Sequence, residues 1–246
     1  MSGTGMSGTG MKDTGDLLTV DGLNSYYGDS HILFDVSLRV ARHEVVALLG
    51  RNGAGKSTTL KSLIGVVRPR TGRISFDGTE TAALPTYAIA TLGMQLVPED
   101  RRIFGSLSVE ENLVLAGLTA KGSWPLERIY AMFPRLQERR RGRGTDLSGG
   151  EQQMLAIARA LVRDPKIVLL DEPFEGLAPI IVRDLLGICR KLAEAGQTII
   201  VVEQNIQAAM ALADRVYIIN NGHIVEEMTA ATARARPEVL HRYLGV

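Results

Sequence analysis

The segment GRNGAGKST, at residues 50–58, constrains the fold of this chain most strongly, because it needs a strand before it and a helix after it. The positions that match the spacing G-x-x-x-x-G-K-[ST] are Gly50, Gly55, Lys56 and Ser57. The apolar run EVVALLG (44–50) precedes them, and the helix-forming run KSTTLKSLIGV (56–66) follows. Glycines let backbone N–H groups turn inward around a phosphate, and the helix N-terminus adds roughly half a positive charge. The segment therefore predicts a strand, a phosphate-binding loop and a helix in succession.

The composition is that of a globular chain with one sizeable core: 246 residues, of which 45% are hydrophobic. Lys and Arg (28) balance Asp and Glu (27), so a net charge of +1 gives no general field for nucleic acid, and no nucleic-acid partner is expected. No run of eighteen apolar residues exists, so we expect no membrane-spanning helix. The single cysteine, Cys189, excludes a disulfide framework, and its apolar neighbours favour a buried helical thiol.

Short apolar runs rich in Val, Ile and Leu alternate with helix-like segments along most of the chain. Four of these runs have the length of strands, and they occupy residues 44–50, 93–98, 166–173 and 198–204. We expect them in the middle of a mostly parallel central sheet, which makes the fold class α/β. LLTVDGLNSYYG and ILFDVSLRV, near the N-terminus, predict an antiparallel β layer. VYIINNGHIVEEM predicts a hairpin, and a short helical segment is expected from about residue 230 to residue 243.

The chain is expected to form a single domain over residues 17–246, after a disordered leader at 1–16. The leader repeats the unit MSGTG and lacks the apolar stretch of a secretory signal. A helical subdomain inserted in the core is predicted at about residues 105–160, where SVEENLVLAGL begins with capping-box spacing and later apolar residues recur three and four apart. Five arginines within residues 135–143 favour a solvated basic turn, with contact to a partner or an anionic lipid surface as the alternative.

Polar residues from two segments predict a reaction site around the phosphate-binding loop. Lys56 is expected to reach the β- and γ-phosphates, and the hydroxyl of Ser57 is a candidate ligand of Mg²⁺. Asp171 ends the apolar strand IVLLD and is expected to hold the same ion from the opposite side. Glu172 comes one position later, and because side chains alternate along a strand, its carboxylate can point toward the attacking water. Glu172 is therefore the candidate general base.

A second anion site is predicted at LSGGEQQ, residues 147–153. Ser148 and Glu151 have capping-box spacing ahead of an apolar helix. Capping alone does not explain the pair Gly149 and Gly150, whereas glycines beside a free helix N-terminus permit close approach by a phosphate. Since the first loop already wraps one nucleotide, this tip is expected to face a nucleotide held by another subunit.

GRNGAGKST, LSGGEQQ and IVLLDEP occur in the order and arrangement of the ATP-binding cassette (ABC) family, and the resemblance covers residues 17–246. It implies a head-to-tail dimer in which two ATP molecules lie between the loop of one subunit and the serine-glycine tip of the other. It also implies that Tyr27 stacks on adenine, with a core tyrosine as the alternative. The residues that the resemblance assigns to ATP binding are Tyr27, Gly50, Arg51, Asn52, Gly53, Ala54, Gly55, Lys56, Ser57, Thr58, Ser148, Gly149, Gly150 and Glu151.

Three positions depart from the general ABC pattern. Glu99 stands where glutamine is usual; it is a candidate catalytic residue and Mg²⁺ ligand, although its carboxylate repels the γ-phosphate. Ala178 replaces an aspartate. Gln204, also a candidate catalytic residue, replaces a histidine and forms hydrogen bonds without carrying charge. With Gln204 in place of the histidine, the γ-phosphate is expected to be sensed more weakly at this chain's own ATP site. The sequence therefore predicts unequal turnover at the two sites of a dimer.

With these departures, VPEDRR, EGLAP and VVEQN resemble the ATPase subunits of branched-chain amino acid importers. That family implies a second cassette as partner, commonly in a heterodimer although a homodimer is possible, two transmembrane permease subunits, and indirectly a periplasmic solute-binding protein. The expected location is peripheral, at the cytoplasmic face of the inner membrane. Three alternatives stay open: an importer of urea or short-chain amides, a soluble ABC ATPase of DNA repair or translation, and a nucleotide-binding regulator that does not hydrolyse ATP.

Overall fold

The computed structural model describes residues 15–120 and 123–245, which form two β-sheets with helices packed around them. The strands are β1 (Asp16–Tyr27), β2 (Ser30–Ala41), β3 (Val45–Leu49), β4 (Pro69–Phe76), β5 (Thr79–Glu80), β6 (Met94–Val97), β7 (Ile167–Asp171), β8 (Thr198–Glu203), β9 (Arg215–Asn220) and β10 (His223–Thr229). The helices are α1 (Lys56–Leu63), α2 (Thr86–Leu92), α3 (Val109–Gly117), α4 (Leu126–Met132), α5 (Pro134–Glu138), α6 (Gly149–Val162), α7 (Pro179–Glu194), α8 (Ile206–Met210), α9 (Ala230–Ala235) and α10 (Pro237–Leu244).

The larger sheet has six strands in the order β10-β9-β3-β8-β7-β6. Neighbours from β9 to β6 run parallel, and β10 pairs antiparallel with β9 as the second strand of the predicted hairpin. β3, β7 and β8 are buried along their whole length, which explains their continuous apolar sequences. The mostly parallel sheet is confirmed, but the expectation that all four apolar runs lie in the middle is wrong. β6 lies at one end of the order and has the features of an edge strand. It is four residues long, Gln95 and Leu96 are partly exposed, and Pro98 follows it.

The smaller sheet is antiparallel, with the order β2-β1-β4-β5. Its apolar side chains share one buried cluster with α1 and with one face of the larger sheet. Four elements contribute, for example, Leu23 of β1, Phe76 of β4, Leu60 of α1 and Leu48 of β3 to this cluster. The antiparallel layer predicted near the N-terminus is therefore confirmed, and it brings the end of β1 close to the loop between β3 and α1.

The opposite face of the larger sheet is covered by a second buried cluster, to which α3, α4, α5, α6 and α7 contribute. Phe133, at the junction of α4 and α5, and Ile157 of α6 are fully buried in it. The two predicted capping boxes are both present, at Ser108 before α3 and at Ser148 before α6. α3 to α6 thus occupy the segment predicted as a helical subdomain, and α6 carries the second predicted anion site at its N-terminus.

The two ends of the chain differ in detail from the expectation. Residues 1–14 of the predicted leader lie outside the described residues, and residue 16 already belongs to β1. The predicted C-terminal helical segment forms two helices, α9 and α10, because Pro237 starts the second one and disfavours helix at Arg236. Cys189 is fully buried in α7 as expected, and burial raises the pKa of its thiol to about 12. Among the described residues no helix is long and apolar enough to cross a bilayer.

Candidate active site

The loop between β3 and α1 has the backbone shape that a phosphate cradle needs. Gly55 precedes α1 with a φ of 111°, a conformation that favours glycine. At Gly50 a Cβ atom would lie 2.6 Å from the carbonyl oxygen of Ile219, so only glycine fits beside β9. Because α1 begins at Lys56, the free N–H groups of its first turn open toward the loop.

A cavity of about 400 Å³ lies beside this loop. The residues that line it are Tyr27, Ile32, Asn52, Gly53, Gly55, Lys56, Ser57, Thr58, Glu99, Glu172 and Glu175. Nine of the predicted site residues are therefore brought together around one space. Arg51 and Ala54 support the loop from behind: the Arg51 carbonyl oxygen accepts the Ala54 N–H at 3.1 Å, and the Ala54 carbonyl oxygen accepts the Gly222 N–H at 2.8 Å.

Tyr27 stands at the rim of this cavity. Its side chain is 47% exposed, so the alternative that it is a core tyrosine is wrong. An exposed aromatic ring beside a phosphate cradle is suited to stacking on a base. Stacking on adenine stays a prediction.

Lys56 is buried, with 4% of the residue exposed. Its Nζ donates to the carbonyl oxygens of Gly50 at 3.0 Å and Arg51 at 3.2 Å, and it pairs with Oε1 of Glu172 at 3.0 Å. The cation is therefore fixed between the cradle and the end of β7. The predicted contact of Lys56 with the β- and γ-phosphates needs an exchange of these partners for phosphate oxygens.

Ser57 and Asp171 meet as the sequence predicts for two ligands of one cation. The Ser57 hydroxyl donates to Oδ1 of Asp171 at 2.9 Å. Burial raises the pKa of Asp171, and the charges of Glu172 and Glu99 raise it further, while the bond from Ser57 lowers it. A buried carboxylate and a hydroxyl are hard oxygen donors, and a divalent cation would offset the crowding of negative charge, so the residues fit Mg²⁺.

Glu172 lies beyond the end of β7, so the argument from alternation along a strand is wrong in its detail. Its φ of 47° is in the left-handed region, and this turn, not the pleat, directs the side chain. Oε1 pairs with Lys56 and Oε2 accepts from Nε2 of Gln204, each at 3.0 Å. Burial alone would raise the pKa of Glu172, but a hydrogen bond with Glu175 and the ammonium of Lys56 hold it below its ordinary value. The carboxylate is thus anionic, as a general base must be.

Gln204 follows β8 and donates a hydrogen bond to Glu172. A position at which this chain departs from the general ABC pattern is therefore in direct contact with the candidate base. The two loops that carry them are held together by buried Glu203, whose carboxylate accepts the N–H groups of Phe174 and Asn205, each at 3.2 Å. Burial raises the pKa of Glu203 to about 7. Sequence reasoning could not find this pair, because residues 172 and 204 are 32 positions apart.

Two further acidic residues stand at the same cavity. Glu99 is exposed, and its predicted roles as a catalytic residue and metal ligand stay predictions. Glu175 was missed by the sequence analysis. Its N–H donates to the carbonyl oxygen of Glu172 at 3.2 Å, and this tight turn sets the two carboxylates side by side. The hydrogen bond to Glu172 raises the pKa of Glu175. The three-residue spacing in EPFE was the signal that could have indicated it.

The second predicted anion site is the exposed N-terminus of α6. The Ser148 hydroxyl oxygen accepts the Glu151 N–H at 3.3 Å, and the Glu151 carboxylate accepts from the Ser148 N–H at 2.8 Å. Gly149 is partly exposed, but Gly150 is buried, and a Cβ there would lie 2.4 Å from a methyl group of Ile181. Packing against α7 therefore requires glycine at position 150, and the expectation that both glycines permit the approach of a phosphate stays a prediction.

The two anion sites are separate within one chain. Among the described residues that line the cavity beside the phosphate loop, none belongs to residues 148–151. The described lining of this cavity is thus formed without the tip of α6, which is compatible with the predicted head-to-tail arrangement.

Three comparisons with known proteins agree with this geometry. A family model described as ABC transporter matches residues 33–175. The chain is 45% identical over 93% of its length to the high-affinity branched-chain amino acid transport ATP-binding protein BraG of Pseudomonas aeruginosa, which it covers completely. It is 36% identical over 93% of its length to the lipopolysaccharide export system ATP-binding protein LptB of Escherichia coli, of which 97% is covered.

A dimeric structure of an ATP-binding cassette in a post-hydrolysis state, bound to ADP and Pi, has the same fold. Its TM-score is 0.77 at 25% sequence identity, and the match covers 87% of this chain and 98% of the other. The resemblance drawn from the three motifs is confirmed. The chain therefore belongs to the ABC transporter family, as an ATP-binding subunit that hydrolyses ATP.

Proposed function

We propose that this chain powers the uptake of branched-chain amino acids by hydrolysing ATP beside separate membrane subunits. The observation that carries the proposal is the 45% identity over the whole of BraG, whose name states branched-chain amino acid transport. The segments that contain Glu99, Ala178 and Gln204 resemble those of branched-chain amino acid importer ATPases, which supports the same proposal. The location that follows is peripheral, at the cytoplasmic face of the inner membrane.

The arrangement at the cavity suggests how hydrolysis proceeds. The cradle N–H groups and Lys56 bind the phosphates, and Ser57 and Asp171 hold Mg²⁺, which supplies positive charge for the β- and γ-phosphates. A phosphate competes with Glu172 for the ammonium of Lys56, since both are anions at a single cation. Glu172 is then free to take the proton of the attacking water, and the amide of Gln204 holds its other carboxylate oxygen in place.

A second cassette completes each site in this proposal. The tip of α6, with Ser148 and Gly149, closes over the γ-phosphate of a nucleotide held by the partner. The partner is a second ABC ATPase subunit, in a heterodimer or a homodimer. A periplasmic solute-binding protein delivers the amino acid to the membrane subunits and does not touch this chain.

The membrane subunits are proposed to dock in a groove of about 410 Å³ between the α1–α2 side and the helical segment. Lys61, Arg159 and Arg163 line this groove. The Nε atoms of both arginines are buried and lack a hydrogen-bond partner among the described residues. The exposed apolar side chain of Val66 also lines the groove. An amphipathic permease helix with an acidic side chain has the chemistry that this surface accepts.

Uptake by cells tests the proposed solute. We expect deletion of the gene to reduce uptake of radiolabelled leucine to background, and the wild-type gene to restore it. A gene encoding Glu172→Gln serves as the matched control, since it supplies the folded subunit without turnover. Loss of urea uptake with normal leucine uptake would favour the urea or amide importer, and a defect in lipopolysaccharide export would favour the role that LptB names. Either outcome contradicts the proposal.

The proposed Mg²⁺ site predicts a specific metal dependence. We expect EDTA to stop ATP hydrolysis and added Mg²⁺ to restore it. Ser57→Ala should raise the Mg²⁺ concentration for half-maximal rate about tenfold, because a hydroxyl beside Asp171 is lost. Ser62→Ala is the control, since that hydroxyl lies on the same helix but bonds to Ser25. An unchanged Mg²⁺ requirement in Ser57→Ala would exclude Ser57 as a ligand.

A further inference from the structure

The turn between β1 and β2 follows Tyr27, the residue predicted to stack on adenine, and a side chain from another strand holds this turn. Nη2 of Arg70, the second residue of β4, donates to the carbonyl oxygen of Gly28 at 2.5 Å. The same atom lies 3.9 Å from Oδ1 of Asp29. Gly28 has a φ of 57°, a conformation that favours glycine, and the bond to its carbonyl oxygen fixes the orientation of that peptide. Arg70 therefore closes the turn directly after Tyr27.

Arg70 is itself held by an aromatic ring. Its guanidinium lies 4.0 Å from the centroid of the Tyr26 ring, next in the chain to Tyr27. Tyr26 stacks in turn on His31 across the β1–β2 pair, with ring centroids 4.0 Å apart and planes inclined by 10°. Nε2 of His31 is 3.1 Å from Oδ1 of Asn24, which is hydrogen-bond distance. The guanidinium thus lies over a packed pair of rings, an arrangement that suits a planar cation.

The same row of rings continues to the hairpin that supports the phosphate-binding loop. Phe34 lies against His31 with ring centroids 3.8 Å apart, and His223, at the start of β10, lies 4.9 Å from Phe34. The Phe34 N–H donates to the carbonyl oxygen of Gly222 at 2.9 Å, and the Gly222 N–H donates to that of Ala54 at 2.8 Å. These contacts therefore join the β1–β2 turn, at the base end of the predicted nucleotide, to the loop at its phosphate end.

We propose that Arg70 is a positioning residue for base recognition, which holds Tyr27 at the rim of the nucleotide cavity before ATP binds. The inference rests on the proposed nucleotide site. Tyr27 is 47% exposed, so the backbone of the turn, more than surrounding side chains, sets where its ring stands. A side chain that is ordered before binding loses less conformational entropy when the ligand arrives, which raises affinity. Arg70 is not among the described residues that line the cavity, so its effect passes through the turn.

A double-mutant cycle on the full-length chain tests whether Arg70 acts through Tyr27. Isothermal titration measures binding of ATP with Mg²⁺ to the wild type, Arg70→Ala, Tyr27→Ala and the double variant. We expect Arg70→Ala to weaken ATP binding about threefold to tenfold, the range for ordering one side chain on binding. In the Tyr27→Ala background the same substitution should change the affinity by less than about twofold, because no ring is left to position.

Arg73→Ala is the matched control, since it removes the same charge from another exposed residue of β4, which pairs with Asp21 and not with the turn. It should bind ATP as the wild type does. In the assembled transporter, Arg70→Ala should raise the KM for ATP by about the factor seen in binding and leave kcat unchanged, since saturating ATP compensates for a weaker base site. Melting temperatures of the variants show that each is folded.

Four results would overturn the inference: unchanged ATP affinity in Arg70→Ala, unchanged affinity in Tyr27→Ala, an equal loss from Arg70→Ala with and without Tyr27, or an equal loss in Arg73→Ala. The last two results are what a general effect of charge or of the stability of β4 produces. Absence of ATP binding by the folded wild-type chain would instead contradict the proposed nucleotide site. Failure of the inference is therefore distinguishable from failure of the proposed function.

Discussion

Glu172→Gln lowers the rate of ATP hydrolysis by at least about 100-fold, the range of a lost general base, and leaves ATP bound. The substitution preserves the shape of the side chain and its contact with Gln204, but the amide cannot accept a proton. Turnover by the assembled transporter and binding of a fluorescent nucleotide to the same variant measure the two effects.

Glu194→Gln provides the control for this experiment. It makes the same change at the exposed end of α7, outside the lining of the nucleotide cavity, and should hydrolyse ATP at the wild-type rate. Substantial hydrolysis by Glu172→Gln would remove Glu172 from the role of general base and turn attention to Glu175, which shares the cavity.

Lys56→Ala weakens ATP binding by at least about 100-fold, since hydrogen bonds to charged groups contribute about 1.5–3 kcal/mol each and this ammonium offers more than one. The side chain is 3% exposed, so in this site the charge is shielded from water and acts strongly on a phosphate. Isothermal titration of ATP, in the presence of Mg²⁺, measures the change.

Lys56→Met separates charge from packing in this prediction. Methionine keeps a flexible apolar stem of similar reach but no donor, so it should bind ATP as poorly as the alanine variant. Both variants leave Glu172 without its cation, and we expect a lower melting temperature in each. If the methionine variant bound ATP normally, packing and not charge would be the contribution of Lys56.

The strands and helix starts of this protein could be predicted from the sequence because their signals are local. β3 and β7 are continuous apolar runs, and the capping box at Ser148 spans four residues. The cradle was predictable for the same reason, since glycines at fixed spacing report the backbone shape directly.

What could not be predicted depends on segments that approach each other only after folding. Gly150 is explained by Ile181 on α7, and the candidate base Glu172 by its contact with Gln204 after β8. No pattern within either segment encodes these pairs. The left-handed turn at Glu172 was also hidden, because the run IVLLDEP reads as strand up to the proline.

The tip of α6 is not part of the described lining of the nucleotide cavity in the same chain, and this has a consequence for the cell. In the proposed pairing, a copy without a partner possesses only half of each catalytic arrangement. A copy that has not met a second cassette is therefore expected to hydrolyse little ATP, so the onset of hydrolysis would report the pairing of two cassettes.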